Sequence, residues 1–561
     1  MNKKRLPKST YPNRYEIELD VDLDKFSYTG TQKVDLNVVE TTNKIVLNSV
    51  GIEVTKAKIQ NTEQDISLEV SYIEEDEKIV FESEEVLSKG LYELYLEFNS
   101  EITNDLKGFY KSSYMSEGGE KKWIATTQFE PTAARSAFPC WDEPEYKAIF
   151  SMTIITDEKY LRVSNEMVLE EEKIENNKLR TKFADSMKMS SYLVAFVIGD
   201  LEATVVGKSK STDIRIIHRP GFSHQTSYAG TAAIKLLDFF EYYYKIPYPG
   251  TKLDLIAIPD FAMGAMENVG AVTFRENLLL FDKDKATRSE LDRSITVIAH
   301  ELAHMWFGDL VTMKWWDGIW LNEAFASLME VIASYNTYPE FKQWNAMNMS
   351  RTAGFSIDSL ENSRPVEFDV ETPDQAEEMF DVLTYEKGST VLRMFQMFIG
   401  EEAFQNGVEA YLNKFKFKNT NSSDLWDALS EASNQPLNKI LPYWIREKGY
   451  PFLQVDCSNN YLTIKQKPFL LRNINTDKRS IKPVPVQIKF LDTGNEEKFL
   501  LDETEKVIDL ENLGKVPHVN SGGWGFFHTF YDDEVFENIL KNFNNLNDLE
   551  KYRLLEDKWM Q

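Results

Sequence analysis

Cysteine and histidine are both scarce in this chain. Its 561 residues include two cysteines, Cys140 and Cys457, and six histidines. Two cysteines so far apart exclude a disulfide framework and favour a reducing compartment. The start, MNKKRLPKST, is basic, but no apolar run follows it, so we expect no secretory signal. These absences together predict a cytoplasmic protein.

Long apolar runs and an excess of positive charge are also lacking. No stretch of about 18 apolar residues occurs, so we expect no membrane-spanning helix. Lys and Arg number 63 against 90 Asp and Glu, which leaves a formal charge of −27. A nucleic-acid backbone or an anionic membrane would repel such a chain, and we expect neither as a partner. Solubility is the simplest explanation of the acidity, and local attraction of a cationic ligand is the alternative.

The sequence does contain enough apolar material for several packed cores. The apolar fraction is 42%, the aromatic fraction is 13%, and the length predicts three to four domains. Residues 1–203 alternate apolar and polar positions and predict an N-terminal antiparallel β-sheet domain. Residues 204–448 carry helical spacing and two short buried strands, and predict an α+β domain. The helical segments are 229–245, 289–307, 322–335 and 424–433, and the strands are 252–259 and 270–274.

Near residue 449 the alternation of strands returns. Residues 449–533 predict a small β-sandwich, with strands at 461–466, 484–490 and 499–501. Residues 534–561 turn helical again but are too short for a core of their own. The predicted fold class is therefore multidomain α+β.

Two of the six histidines stand four residues apart, in His300-Glu301-Leu302-Ala303-His304. On a helix, positions i and i+4 share one face, so both imidazoles can reach one ion. Glu323 follows after eighteen further residues and supplies a third ligand. Two His and one Glu, with a fourth position left for water, form the ligand set of a catalytic zinc site. We predict one Zn²⁺ per chain, with Glu301 free to take a proton from a bound water. The alternative is a helix with two surface histidines and an unrelated acid.

The spacing of these residues resembles the gluzincin metallopeptidases. Upstream, Gly264-Ala265-Met266-Glu267-Asn268 resembles the exopeptidase signature of the aminopeptidase N family. In that family the glutamate binds the free α-amino group of the substrate, a role that the resemblance assigns to Glu267. An ammonium in a partly buried cleft needs such a carboxylate, and the anchor places only the first peptide bond over the metal. The resemblance implies a zinc aminopeptidase that acts on peptides with a free N-terminus. The alternative is a glycine-containing turn with a solvated glutamate.

Further segments extend the resemblance. Residues 127–135 resemble a loop in which the family places a second amine ligand, here Glu130, while Gln128 and Met263 would line the pocket for the first side chain. The other signature residues would also bind substrate: Gly264, Ala265, Met266 and Asn268. Tyr385 resembles the tyrosine that stabilises the oxyanion, and a packed helical tyrosine is the alternative.

The resemblance covers nearly the whole chain and is closest to the archaeal tricorn-protease interacting aminopeptidases. It implies a thermolysin-like catalytic domain over 204–448. Relatives continue into a large helical C-terminal domain. Residues 534–561 of this chain resemble the start of that domain. We therefore expect most of that domain to be absent, leaving a more open cleft and an apolar surface that favours association.

Three other functions stay open at this stage. An endopeptidase of the thermolysin type shares the zinc motif but needs neither Glu267 nor Glu130. A bifunctional epoxide hydrolase of the leukotriene-processing branch carries Gln where this chain has Glu130. The third is a scaffold that has kept the fold and lost the chemistry, although the ligand, base and tyrosine positions are all intact here.

Overall fold

The computed structural model describes residues 5–62, 65–472 and 480–561, which divide into two compact units. The first unit takes the described residues of Met1–Trp316, with Val370–Glu377 and Leu412–Thr420. The second takes those of Asp317–Asp369, Glu378–Tyr411 and Asn421–Gln561. The predicted four-domain division at 203, 448 and 533 stays a prediction.

The first unit begins with strands. In chain order they are β1 (Thr10–Asp22), β2 (Ser27–Val38), β3 (Thr42–Asn48), β4 (Glu53–Gln60), β5 (Asp65–Ser67), β6 (Glu69–Ile73), β7 (Lys78–Leu87), β8 (Gly90–Glu101), β9 (Gly108–Met115), β10 (Lys121–Gln128), β11 (Ile149–Asp157), β12 (Leu161–Ser164), β13 (Val168–Ile174), β14 (Lys178–Phe183) and β15 (Phe196–Gly199).

These strands form three sheets in the described part of the chain. The largest has the order β13-β14-β11-β1-β2-β8-β4-β5, and the others are β12-β15-β10-β9 and β3-β7-β6. The strand β2 shows why they form, because buried and exposed residues alternate along it. The predicted N-terminal β-sheet domain is confirmed, but it is not wholly antiparallel. β1 pairs in parallel with β11, and no hairpin constrains the direction of two strands so far apart in sequence.

The rest of the first unit is a mixed sheet with two helices. The sheet has the order β16-β17-β18-β20-β19, in which β17, β18 and β20 run parallel. Its elements are β16 (Glu202–Ser209), β17 (Thr212–His218), α1 (Ser227–Tyr244), β18 (Lys252–Ile258), β19 (Ala265–Met266), β20 (Ala271–Arg275) and α2 (Arg288–His304). All seven residues of β18 are buried, as predicted, including Lys252 and Asp254, which form an ion pair of 2.7 Å.

The helix α2 begins earlier than the sequence pattern suggests. Ser289 is a natural candidate for the N-cap, but Thr287 takes that position. The Thr287 hydroxyl accepts from the backbone N–H of Glu290, and the Glu290 carboxylate accepts from the backbone N–H of Thr287. This reciprocal pair satisfies two backbone donors that the first helical turn leaves free.

The elements that follow are mostly helical. They are β21 (Val311–Met313), α3 (Trp320–Thr337), α4 (Gln343–Asp358), α5 (Pro373–Glu378), α6 (Gly388–Ile399), α7 (Glu401–Phe415), β22 (Lys418–Thr420), α8 (Ser422–Ser433), α9 (Leu437–Ile440) and α10 (Pro442–Ile445). A π-helical turn, Leu383–Lys387, precedes α6. The four predicted helical segments are thus confirmed as α1, α2, α3 and α8, with ends shifted by a few residues.

The second unit closes with strands and two helices. They are β23 (Pro451–Ser458), β24 (Tyr461–Pro468), β25 (Val484–Phe490), β26 (Glu496–Leu501), β27 (Glu505–Asp509), β28 (Pro517–Val519), β29 (His528–Tyr531), α11 (Asp533–Lys541) and α12 (Asp548–Met560). The strands form two sheets in the described residues, ordered β27-β24-β23-β29 and β26-β25-β28. The three strands predicted in this region are confirmed, and their arrangement as a sandwich stays a prediction.

Two further predictions concern the chain as a whole. Both cysteines are free thiols, with Cys140 buried. Among the described residues, no helix is both long enough and apolar enough to cross a membrane.

Candidate metal centre and active site

The helix α2 carries three of the predicted catalytic residues on its last turns. The Nε2 atoms of His300 and His304 lie 3.1 Å apart, and their ring centroids lie 4.7 Å apart. Between them, Glu301 is buried. The spacing of one helical turn therefore brings the two imidazole nitrogens close together on one face of α2, as the sequence predicts.

His304 is oriented by a backbone contact. Its Nδ1 lies 2.9 Å from the carbonyl oxygen of Phe307, so the proton belongs on Nδ1 and the lone pair on Nε2. Zinc holds imidazole nitrogens at about 2.0–2.1 Å, so two nitrogens of a tetrahedral site stand about 3.3 Å apart. The 3.1 Å separation observed here is close to that value. The donor set of α2 thus fits zinc.

The third predicted ligand, Glu323, belongs to the second unit, where it is buried in the first turn of α3. Two imidazoles and a carboxylate, the ligand set that the sequence predicts, have the chemistry of a catalytic zinc site.

The segment 264–268 is held at the edge of the mixed sheet. Its second and third residues form β19, which pairs antiparallel with β20. The Gly264 carbonyl accepts from the Arg275 backbone N–H at 2.9 Å, and the Asn268 side chain donates to the Thr273 hydroxyl at 3.3 Å. These contacts give the segment a defined backbone, which a loop in solvent would lack.

The segment presents Glu267 to the histidine helix. This carboxylate is buried, and its Oε1 lies 3.9 Å from Nδ1 of His304. Glu130 follows β10 and is only partly exposed. The two glutamates that the resemblance assigns to the substrate's ammonium are therefore both largely removed from water. In such surroundings a carboxylate attracts a cation more strongly than it does in solvent.

The predicted side-chain pocket is brought together only in part. Gln128 ends β10 and is buried, and its Nε2 lies 3.3 Å from the sulfur of Met266. Its Oε1 has no hydrogen-bond partner among the described residues. Met263, the other residue predicted for this pocket, is 48% exposed. Gln128 therefore contacts the signature segment itself, and Met263 stands at the surface.

The sequence reasoning missed Asp309, which is completely buried. Both of its carboxylate oxygens lack a partner in the described part of the chain. Burial, followed by the negative charge of Glu267, raises the pKa of Asp309 well above its usual value, while His304 and Lys147 oppose that shift. The charges of Glu267, the predicted amine ligand, and of His304, a predicted metal ligand, therefore both act on Asp309.

Lys147 is the second residue that the sequence did not reveal. Its Nζ donates to the carbonyl oxygens of Asp309 at 2.9 Å and Leu310 at 3.3 Å. Burial lowers the pKa of Lys147 to about 7. One signal was available, because Asp309 is an acid in the otherwise apolar run that follows His304 directly. Lys147 lies so far upstream that no local pattern could connect it with that run.

Tyr385 belongs to the second unit, where it lies in the π-helical turn 383–387. Such turns are rare and occur frequently at functional sites. The turn is capped by Asp381, whose Oδ1 accepts from two backbone N–H groups, those of Leu383 at 2.9 Å and Thr384 at 3.1 Å. Arg364 pairs with Asp381 at 2.6 Å. The backbone around Tyr385 is thus defined by charged contacts.

The element carrying Glu323 packs closely against the helix that follows this turn. A Cβ added to Gly388 would lie 2.6 Å from the Cβ of Ala324, the residue next to Glu323. Only glycine permits this approach, because real Cβ atoms essentially never come so close. The positions of α3 and α6 in the second unit are therefore coupled by direct contact.

Two protein-family models match this chain. A model described as the Peptidase M1 N-terminal domain matches residues 11–193, and one described as the Peptidase family M1 domain matches residues 228–444. Together the two matches span more than two thirds of the chain.

Similar proteins include Aminopeptidase M1 of Arabidopsis thaliana, which is 37% identical over 99% of this chain and 65% of its own length. The Puromycin-sensitive aminopeptidase of Caenorhabditis elegans is 36% identical over 99% of this chain and 60% of its own length. Aminopeptidase 2 of Candida albicans is 37% identical over 94% and 57%. The chain thus spans about three fifths of the length of the curated relatives that it matches.

Proposed function

Because this chain belongs to peptidase family M1, we propose that it is a zinc-dependent aminopeptidase that hydrolyses the N-terminal residue from peptides. The observation that carries the proposal is the pair of imidazole nitrogens on α2, 3.1 Å apart, with the buried Glu267 carboxylate beside them. An ion site and an ammonium site so close together suit the cleavage of a first peptide bond and of no later one.

The metal ligands in this proposal are His300, His304 and Glu323. Zinc bound there would act as a Lewis acid and lower the pKa of water to about 7. The His304 ring is already oriented for that role by its contact with the Phe307 carbonyl.

Glu301 is the proposed general base. It lies on α2 between the two histidines, and its side chain is buried and therefore shielded from bulk solvent. It would take a proton from the attacking water and later pass it to the leaving amine. Tyr385 is the proposed donor to the oxyanion, a role supported by its place in a rare π-helical turn.

Glu267 and Glu130 would hold the substrate's ammonium group. A largely buried carboxylate gains more from a cationic partner than an exposed one does, since the effective dielectric constant is lower there. Backbone groups of the segment 264–268 would orient the substrate, with Asn268 bracing the segment through Thr273. Gln128 and Met263 are the proposed residues for the first side chain.

The finer expectations from the sequence remain proposals. They are the thermolysin-like domain over 204–448, the β-sandwich over 449–533, the helical start over 534–561 and a cytoplasmic location. The relatives named above come from a plant, a nematode and a yeast, and they bear only on the family. The closer resemblance to archaeal tricorn-protease interacting aminopeptidases therefore stays a prediction.

A panel of aminoacyl chromogenic amides tests the function. We expect cleavage of free-amine amides, loss of cleavage with a chelator and recovery when zinc is restored. N-acetylated amides should be poor substrates. Cleavage of internal peptide bonds in blocked peptides would instead indicate an endopeptidase, and zinc binding without any cleavage would indicate a scaffold.

A further inference from the structure

A pocket of about 560 Å³ lies in the first unit, and the residues that line it come from neither the segment 264–268 nor α2. Its lining comes from β12, β13 and β14 on one side and from β16, β17 and β18 on the other. A volume of this size is that of a small-molecule site, for which about 300–1,000 Å³ is usual.

The walls and rim of this pocket are largely apolar. Leu161, Val163 and Phe183 contribute from the strands. At the rim, Met167 is 49% exposed, Val168 is 47% exposed and Val205 is 67% exposed. Single exposed apolar side chains are ordinary, but a group around one opening indicates a surface that an apolar ligand covers.

One cation in the lining is incompletely satisfied. Arg162 is 9% exposed, and its Nη1 donates to the Asp157 carbonyl at 3.2 Å. Its nearest carboxylate, Glu171, stands 3.7 Å away, which is too far for a hydrogen bond. Its Nε is buried and has no partner among the described residues. Burial lowers the pKa of Arg162 in spite of Glu171, so the guanidinium is short of negative charge.

The other basic groups in the lining are already engaged. Arg215 grips Asp254 with two donors, at 2.7 and 2.6 Å. Lys252 contacts Asp254 at 2.7 Å and donates to the carbonyl oxygens of Ser164 and Gly270. The charge of each of these two cations is therefore already balanced by Asp254.

The acids of the lining have partners as well. Glu166 accepts from the Thr251 hydroxyl, and burial raises the pKa of this carboxyl group. Asp213 pairs with Lys208 at 2.8 Å, and Glu171 accepts from Thr181. The wall therefore contributes as many acids as bases, while Arg162 retains a buried donor that no wall residue meets.

We propose that this pocket binds a carboxylate that is attached to an apolar body, with the carboxylate on Arg162 and the body against the rim of Met167, Val168 and Val205. A guanidinium donates two parallel hydrogen bonds to a carboxylate, which suits a donor that has only a long contact with Glu171. The C-terminal end of an apolar peptide and a short fatty acid share this chemistry. The proposal does not depend on the proposed peptidase activity.

Calorimetric titration of the full chain tests the proposal, with N-acetyl-L-leucine as the probe. Its blocked amine cannot use an ammonium site, and N-acetyl-L-leucinamide serves as the matched compound without a carboxylate. We expect saturable binding of the acid with a Kd of about 1 mM or tighter, and binding of the amide weaker by about tenfold or more. Octanoate and N-acetyl-Ala-Ala-Leu, compared under the same conditions, distinguish a fatty acid from a peptide end.

Two variants locate the site and one serves as control. Arg162→Gln removes the cation, and Val205→Asp places a negative charge on the exposed rim without touching the interior. Each should weaken binding of the acid by about tenfold or more. Arg180→Gln, on the neighbouring β14 and paired with Glu18, should bind as the wild type does.

The outcomes divide cleanly. Equal binding of acid and amide, wild-type binding by Val205→Asp, or no saturable binding up to about 10 mM would overturn the proposal. Should Arg162→Gln fail to fold, as judged by circular dichroism, Val205→Asp decides the matter alone. Binding that survives both variants would place the carboxylate elsewhere, including at the candidate metal centre, and would also overturn it.

Discussion

Lys387 and Asp358 form an ion pair of 2.9 Å in which both side chains are completely buried. Asp358 also accepts from Ser363 at 2.8 Å and from the Gly449 backbone at 2.7 Å. Lys387 is the last residue of the turn that carries Tyr385. The pair therefore joins α4 to that turn within the second unit.

Breaking this pair should destabilise the second unit strongly. Asp358→Ala would leave the Lys387 ammonium buried without its partner, which costs about 3–5 kcal/mol. Urea unfolding followed by circular dichroism measures the change. Glu505→Ala, which removes an exposed partner of Lys465 in the same unit, is the control and should leave the midpoint unchanged. Equal midpoints for the wild type and Asp358→Ala would contradict this account.

Glu301→Gln should separate metal binding from turnover. The amide keeps the size of the side chain but cannot accept a proton, so kcat should fall by about 10²–10⁴-fold. Zinc content, measured by atomic emission on the purified protein, should stay near that of the wild type. His300→Ala, by contrast, should lose the metal as well. Near-normal turnover by Glu301→Gln would rule out its role as base.

Glu267→Ala should slow the cleavage of substrates with a free N-terminal amine more than that of substrates whose amine is blocked. Loss of a buried carboxylate partner should reduce kcat/KM for free-amine amides by about 100-fold or more. The small residual rate on N-acetylated amides should change little, because no ammonium is held in that case. Glu158→Ala, which removes an exposed partner of Lys173, is a suitable control. Equal losses on both substrates would refute the anchor.

Lys147 should make stability depend on pH. Because burial lowers the pKa of Lys147 from 10.5 to about 7, the unfolded chain binds more protons than the folded chain between these values. The free energy of unfolding should therefore rise with pH in this window, by at most about 1.4 kcal/mol for each pH unit from this group. Below pH 7 the penalty of burying the charged ammonium is fully present.

Lys147→Met removes this contribution. Urea unfolding at pH 7 and pH 9 should show a smaller gain in stability for the variant than for the wild type. Lys482, whose pKa burial also lowers to about 7, is unchanged in both proteins and cancels in the comparison. The same gain in both proteins would show that Lys147 keeps its proton throughout.

Gly388→Ala should disturb the contact between α6 and α3. The new methyl group would meet Ala324 at 2.6 Å, and overpacking of this kind costs about 1–3 kcal/mol. We expect a lower thermal midpoint and lower activity, because Glu323 lies next to Ala324. Gly118→Ala, whose nearest neighbour would be 3.8 Å away, should be neutral. A neutral Gly388→Ala would mean that the helices separate at little cost.

Local patterns in the sequence predict much of the secondary structure of this protein. The helices α1, α2, α3 and α8 follow from apolar residues three and four apart, since a helix face is a property of nearby positions. The pairing of His300 with His304 is equally local, because one helical turn joins them. The likeness of the segment 264–268 to a family signature predicts a binding role for Glu267 without reference to any contact.

Other features were decided by the tertiary structure. The parallel pairing of β1 with β11, the contact of Gln128 with Met266 and the burial of Asp309 beside Lys147 each join residues that are distant in sequence or give no local sign of contact. The sequence alone determined which chemical groups stand on one helix face, because the backbone repeat sets that within a turn. Which distant groups share a dry interior, and therefore which pKa values shift, depends on long-range packing that no local repeat encodes.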